Sequence, residues 1–142
     1  MERDAITELP HTADIGFSLA ASSLERLFGL AAEALARTIG AEADGREIER
    51  QRFEAVRPDL ERLLVAWLRE LLGRSEARRQ VPRVRSLSVV PPARRDAARL
   101  VAIVAWFPWS GDPLREIKGV TYHDLHVRRE GGTWQASVVL DI

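Results

Sequence analysis

The stretch RPDLERLLVAWLRELLG, residues 57–73, constrains the fold more than any other part of the chain. Leu60, Leu63, Leu64, Trp67, Leu68, Leu71 and Leu72 recur at spacings of three and four and form a broad apolar stripe. A helix with such a stripe must cover an apolar partner surface. Asp59 reads as its N-cap and Gly73 as its end. A second stretch, SSLERLFGLAAEALARTIG at 22–40, carries the same period through Leu24, Leu27, Phe28, Ala31, Leu35 and Ile39. Ser22 and Glu25 read as a capping-box pair, with Gly40 as the stop.

What these helices cover is strand. Ile15, Phe17 and Leu19 alternate with small or polar residues, and a weaker strand candidate spans 46–57. VRSLSVV at 84–90 and ARLVAIVAWF at 98–107 are separated by the turn-forming PPARRD. GVTYHDLHVRR at 119–129 and TWQASVVLDI at 133–142 flank Glu130, Gly131 and Gly132, a hairpin signal. Trp134, Ala136, Val138 and Leu140 share one face of the last strand. No internal repeat or low-complexity segment is apparent. The strands do not alternate strictly with helices, so an α+β fold is expected, with two helices on one face of a mostly antiparallel sheet. At 142 residues the expectation is a single domain, 1–142, with a full core.

Composition excludes several chemistries. There are no cysteines, so disulfides, thiolate metal sites and cysteine nucleophiles are absent, which fits a reducing, cytoplasmic setting. The charged opening MERDAITELPHTADIG does not read as a signal peptide, and no apolar run is long enough to cross a bilayer. Twenty-one basic and 21 acidic residues balance, so no global field draws the chain to nucleic acid or membrane. The balance breaks at 74–99, where Arg74, Arg78, Arg79, Arg83, Arg85, Arg94, Arg95 and Arg99 face only Glu76 and Asp96. That segment is either an RNA-facing patch or a solvated face, and aromatic residues for base stacking are scarce in it.

Three short segments carry candidate chemistry. His11, Thr12 and Asp14 cluster at the entry to the first alternating strand, where they either bind a cation or partner or hydrogen-bond local backbone. The last strand ends VVLDI, with Asp141 pointing away from the face of Leu140 and Ile142 carrying a terminal carboxylate. Adjacent carboxylates repel unless a cation or donors neutralise them, and oxygen ligands suit hard cations such as Ca²⁺ or Mg²⁺. A frayed, solvated end is the other reading, and a hydrophobic strand running to the last residue argues against it. LREIKGVTYHDLHV at 114–127 holds the only lysine, Lys118, among twenty arginines. Lysine is a compact point charge on a flexible stem, and a site needing that geometry would keep it. Strand alternation there puts Gly119, Thr121, His123 and Leu125 on one face and Tyr122 and Asp124 on the other, so His123 and His126 make no two-histidine metal site. No phosphate loop, nucleophile elbow or zinc spacing occurs.

HTADIGF near the start, DLERLLVAWLRELL in the middle, and EIKGVTYHDLHV followed by W-x-A-x-V-V-L-D-I resemble the archease family in order and spacing, over nearly the whole chain. The resemblance implies an α+β fold and an accessory role without intrinsic catalysis. Archeases assist RtcB, the tRNA-splicing RNA ligase, by promoting its guanylylation and multiple turnover. A role as chaperone of a tRNA methyltransferase is also attached to the family. The implied metal ligands are Asp14, Asp141 and Ile142, with calcium the usual ion and magnesium or manganese as alternatives. Lys118 falls on the family's lysine, and it joins His11 and His123 as the expected partner-binding residues. RNA contact would then be indirect or weak. The competing class is a metal-dependent phosphohydrolase using the same carboxylates with His11 or His123 as base. The segments GRSEARRQVPRVRS and VVPPARRDAARL match nothing in the family pattern.

Overall fold

The computed structural model describes residues 4–10 and 14–142. The elements run β1 (Ala5–Pro10), β2 (Asp14–Ala21), α1 (Leu24–Ile39), β3 (Glu42–Ala43), β4 (Glu49–Arg57), α2 (Leu60–Arg78), β5 (Gln80–Val90), β6 (Ala98–Ser110), β7 (Gly119–Glu130) and β8 (Thr133–Asp141). The α+β expectation holds, but the strands form two sheets rather than one. The first has the order β1-β2-β8-β7. In the second, β6 is central and pairs with β3, β4 and β5. Every pairing is antiparallel.

Both helices touch both sheets. α1 packs on β2 and β8 and reaches β5, while α2 packs on β4 and β6 and reaches β7. Their stripes meet in one core in which Leu27, Phe28, Leu63, Leu64, Trp67 and Leu71 are fully buried. Trp67 satisfies its indole N–H on the Phe28 carbonyl at 3.0 Å, so this large core side chain buries no unpaired donor.

The helix ends correct two expectations. The α1 cap is Ser23, whose side chain accepts from the Arg26 N–H at 3.1 Å, and Ser22 instead donates its own N–H to Asp4. Glu25 therefore closes no capping box; its carboxylate accepts the Val89 N–H of β5 at 2.9 Å. Asp59 caps α2 as expected, but that helix does not stop at Gly73. It continues to Arg78 because the next turn is anchored: Ser75 is buried and donates to the Gln80 carbonyl, and Arg74 lies over the Trp106 ring. A helical glycine costs about 1 kcal/mol, less than these contacts return.

The two helix starts are equivalent. Leu24, Glu25, Arg26 and Leu27 repeat as Leu60, Glu61, Arg62 and Leu63, each set following a capping Ser23 or Asp59. Glu61 accepts the Val127 N–H of β7 at 2.9 Å, as Glu25 does for Val89. A four-residue repeat thus encodes one device used twice: a carboxylate in the first helical turn clamps a strand amide.

Candidate functional site

The register of the first sheet brings the two ends of the sequence together. Asp14, the first residue of β2, lies directly opposite Asp141, the last residue of β8. Behind them Ile15 pairs with Leu140, and both are buried. The carboxylates therefore share the face turned away from the core. Directly opposite residues in an antiparallel pair have Cα atoms about 4.5–5.5 Å apart, and like charges so placed repel. The fold positions the pair because the apolar alternation of both strands fixes their register; a one-residue slip would turn Phe17, Leu19, Val138 and Leu140 out of the core.

On the other side of β8, Gly119 pairs with Asp141, and the Lys118 N–H donates to the Asp141 carbonyl at 2.7 Å. Lys118 is exposed and immediately precedes β7. Ile142 packs against the core, so the end of β8 is held rather than frayed. Asp14, Asp141, Ile142 and Lys118 thus meet at one end of one sheet. Their donors are all oxygens apart from the ammonium, which fits a hard cation and not a soft one. Among the described residues there is no cluster of three or more His, Asp or Glu side chains able to hold a metal. The side-chain donors are therefore two carboxylates, and His11 and Thr12 lie outside the described residues.

His123 lies away from this meeting point. Its main chain donates to the Thr121 hydroxyl at 3.1 Å, and its Nε2 is 3.2 Å from the Asp124 carboxylate. The alternation expected through His123 and Leu125 fails because the β7–β8 register breaks between Thr121 and His126. Asp124 takes a left-handed conformation there, φ 52°. Tyr122, His123 and Asp124 are consequently all exposed.

Two carboxylates elsewhere have shifted acidities. Hydrogen bonding to Arg50 lowers the pKa of Glu47. Burial raises the pKa of Glu76, and the Glu116 charge adds to the rise while a hydrogen bond from the Ile117 N–H opposes it.

Half of the eight arginines of the arginine-rich segment are spent on internal contacts. Arg74 and Arg78 pair with Glu49 at 2.6 and 3.1 Å, and Arg85 reaches Glu47 at 3.6 Å. Arg74, Arg79 and Arg85 also lie over the rings of Trp106, Trp109 and Phe107. The aromatic partners sit on β6, so they are invisible in the segment's own sequence. Among the described residues, Arg83, Arg94, Arg95 and Arg99 form no ion pair. A groove of about 1110 Å³ runs between α1 and β5, past Arg83 and Arg85, and is not at the Asp14–Asp141 end.

No helix among the described residues is long and apolar enough to cross a membrane. The profile of the Archease protein family (MTH1598/TM1083) matches residues 7–142. Protein archease of Methanosarcina mazei is 36% identical over 141 residues, covering 94% of this chain and 93% of its own. Protein archease of Methanopyrus kandleri is 33% identical over 139 residues, covering 95% and 97%. The solution structure of Methanobacterium thermoautotrophicum protein 1598 superposes with a TM-score of 0.75 at 25% identity, covering 96% of this chain and 98% of that one. The crystal structure of a Thermotoga maritima archease, described as a possible chaperone, shares the fold with a TM-score of 0.67 at 20% identity, covering 99% and 100%. With residues 7–142 matched by the family profile and more than nine-tenths of the chain by these relatives, the chain belongs to the archease family.

Proposed function

We propose that this chain is an accessory protein that activates an RtcB-type tRNA-splicing RNA ligase, promoting its guanylylation and multiple turnover. One observation carries the reading: the register that sets Asp14 opposite Asp141 beside Lys118. Family membership supports it, as does the description of the Thermotoga maritima relative as a possible chaperone. In this reading Asp14, Asp141 and the Ile142 carboxylate hold a divalent cation, calcium first and magnesium or manganese otherwise. When bound, the ion supplies positive charge that relieves carboxylate repulsion and can meet a phosphate. Lys118 adds a mobile point charge beside it, aimed at a phosphate or a carboxylate of the ligase. The exposed tip docks at the ligase, and the chain turns over no phosphoester alone. Two side-chain carboxylates would hold a catalytic metal only loosely, which favours an accessory over a phosphohydrolase.

The test is RNA ligation by a purified RtcB-type ligase under multiple-turnover conditions. Wild type, Asp141→Ala, Lys118→Arg and a form extended beyond Ile142 are compared. The reading expects stimulation by wild type that Asp141→Ala and the extension abolish and Lys118→Arg reduces. Full stimulation by Asp141→Ala would refute the tip. No stimulation by wild type would refute the ligase role and turn attention to a tRNA methyltransferase partner.

A further inference from the structure

A second surface, independent of the acidic tip, has its own chemistry. α2, β4 and β7 enclose a cleft of about 300 Å³ whose apolar part is Phe53, Val65 and Ala66. Its charged part is Arg57, Arg62 and Arg69 against the single carboxylate of Glu70. That carboxylate is already engaged by the Gln51 amide at 2.7 Å. Arg62 is held by Asp59 at 3.1 Å. Arg57 donates only to the neighbouring Val56 carbonyl, at 2.8 Å, and among the described residues it and Arg69 have no carboxylate partner. With Arg62 held by Asp59, the cleft still carries more guanidinium than carboxylate charge, and Arg57 is the arginine the fold leaves without a carboxylate among the described residues.

Tyr122 gives the cleft a second feature. The Arg69 guanidinium sits 5.2 Å from the centre of its ring and is itself anchored on the Val120 carbonyl at 3.2 Å. Tyr122 nevertheless remains 54% exposed. A cation is thus fixed over a ring that stays more than half exposed, the arrangement of a stacking platform. A planar ring on Tyr122 and an anion on the arginines would fill a space at the small end of ligand sites, about 300–1,000 Å³.

We propose that this cleft binds a nucleotide unit, with its base stacked on Tyr122 and its phosphate on Arg57 and Arg62. An acidic peptide would satisfy the arginines but leave the aromatic platform idle. Tyr122 lies three residues along β7 from Gly119, the partner of Asp141.

The experiment titrates the full chain with 5′-AMP, adenosine, inorganic phosphate, a short single-stranded oligoadenylate and a glutamate-rich peptide at low salt. Magnetic resonance follows the backbone amides and the ring of Tyr122, the only tyrosine and therefore a single signal. AMP should shift the ring saturably, with adenosine and phosphate each about tenfold weaker, because each keeps half of the contacts. Tyr122→Ala and Arg57→Gln should each weaken AMP about tenfold, and Tyr122→Phe should stay within about twofold. Amide spectra unchanged outside the cleft show that the variants remain folded. Oligoadenylate binding equal to AMP assigns the cleft to a terminal nucleotide, and tighter binding assigns it to a run of RNA; either supports the proposal. No saturable shift at about 10 mM AMP, Arg57→Gln binding like wild type, or the peptide matching AMP overturns it.

Discussion

Glu61 joins α2 to β7, the strand that Lys118 immediately precedes, and its removal should be felt in stability. Its carboxylate accepts the Val127 N–H at 2.9 Å in a partly buried setting. A hydrogen bond to a charged acceptor contributes about 1.5–3 kcal/mol. A carboxylate in the first turn of a helix adds about 0.3–1 kcal/mol through the backbone dipoles. Glu61→Ala should therefore cost about 2–3 kcal/mol, since Val127 is only 8% exposed and its N–H finds little water. Glu61→Gln keeps an acceptor oxygen and loses the charge, so about 1 kcal/mol is expected. For a chain of this size about 2–4 °C accompanies each kcal/mol, so the alanine variant should melt about 4–12 °C lower. Urea and thermal unfolding followed by circular dichroism give both numbers, and hydrogen exchange at the Val127 amide localises the loss. Glu25→Ala should behave alike through Val89. Glu61→Ala within about 0.5 kcal/mol of wild type, or Gln as harmful as Ala, would refute the clamp.

Ser23→Ala should destabilise by about 1 kcal/mol and Ser22→Ala by less than about 0.5 kcal/mol, because only Ser23 caps α1; equal losses in urea melts would contradict that. Glu76 yields a pH signature. Burial raises its folded pKa above the ordinary glutamate value, so its stabilising contribution is complete in acid and falls as pH rises through that pKa. Glu76→Gln, neutral at every pH, should gain stability over wild type at neutral pH and lose that gain near pH 4, the ordinary carboxylate range. Urea midpoints at the two pH values check it, and a gap that widens on acidification would contradict the sign.

The helices were legible in the sequence because the spacing of Leu60, Leu63, Leu64, Trp67 and Leu68 admits one period. Their starts were less so: Ser22 and Ser23 both precede LERL, and sequence spacing favours the box that Glu25 does not close. Gly73 misled because the turn after it is held by tertiary contacts at Gln80 and Trp106, which no local pattern carries. The division into two sheets was hidden because strand pairing is non-local: β6 gathers β3, β4 and β5 around it. The Tyr122–Leu125 irregularity carries no glycine to announce it, and Asp124 supplies the left-handed residue instead. The pairing of Asp14 with Asp141 spans almost the whole chain. Alternation predicted the outward face of Asp141, but only the family resemblance linked the two residues before the register did.

Calorimetric titration of calcium into the metal-free chain tests the central claim most directly, because it reads the sheet end without any partner. The account predicts about one ion per chain in wild type, as one donor set should hold. It further predicts loss of that binding in Asp14→Asn and Asp141→Asn, with unfolding midpoints showing both variants still folded. Binding that survives either substitution would contradict it. So would a wild type, folded and free of competing metal, that takes up neither calcium, magnesium nor manganese.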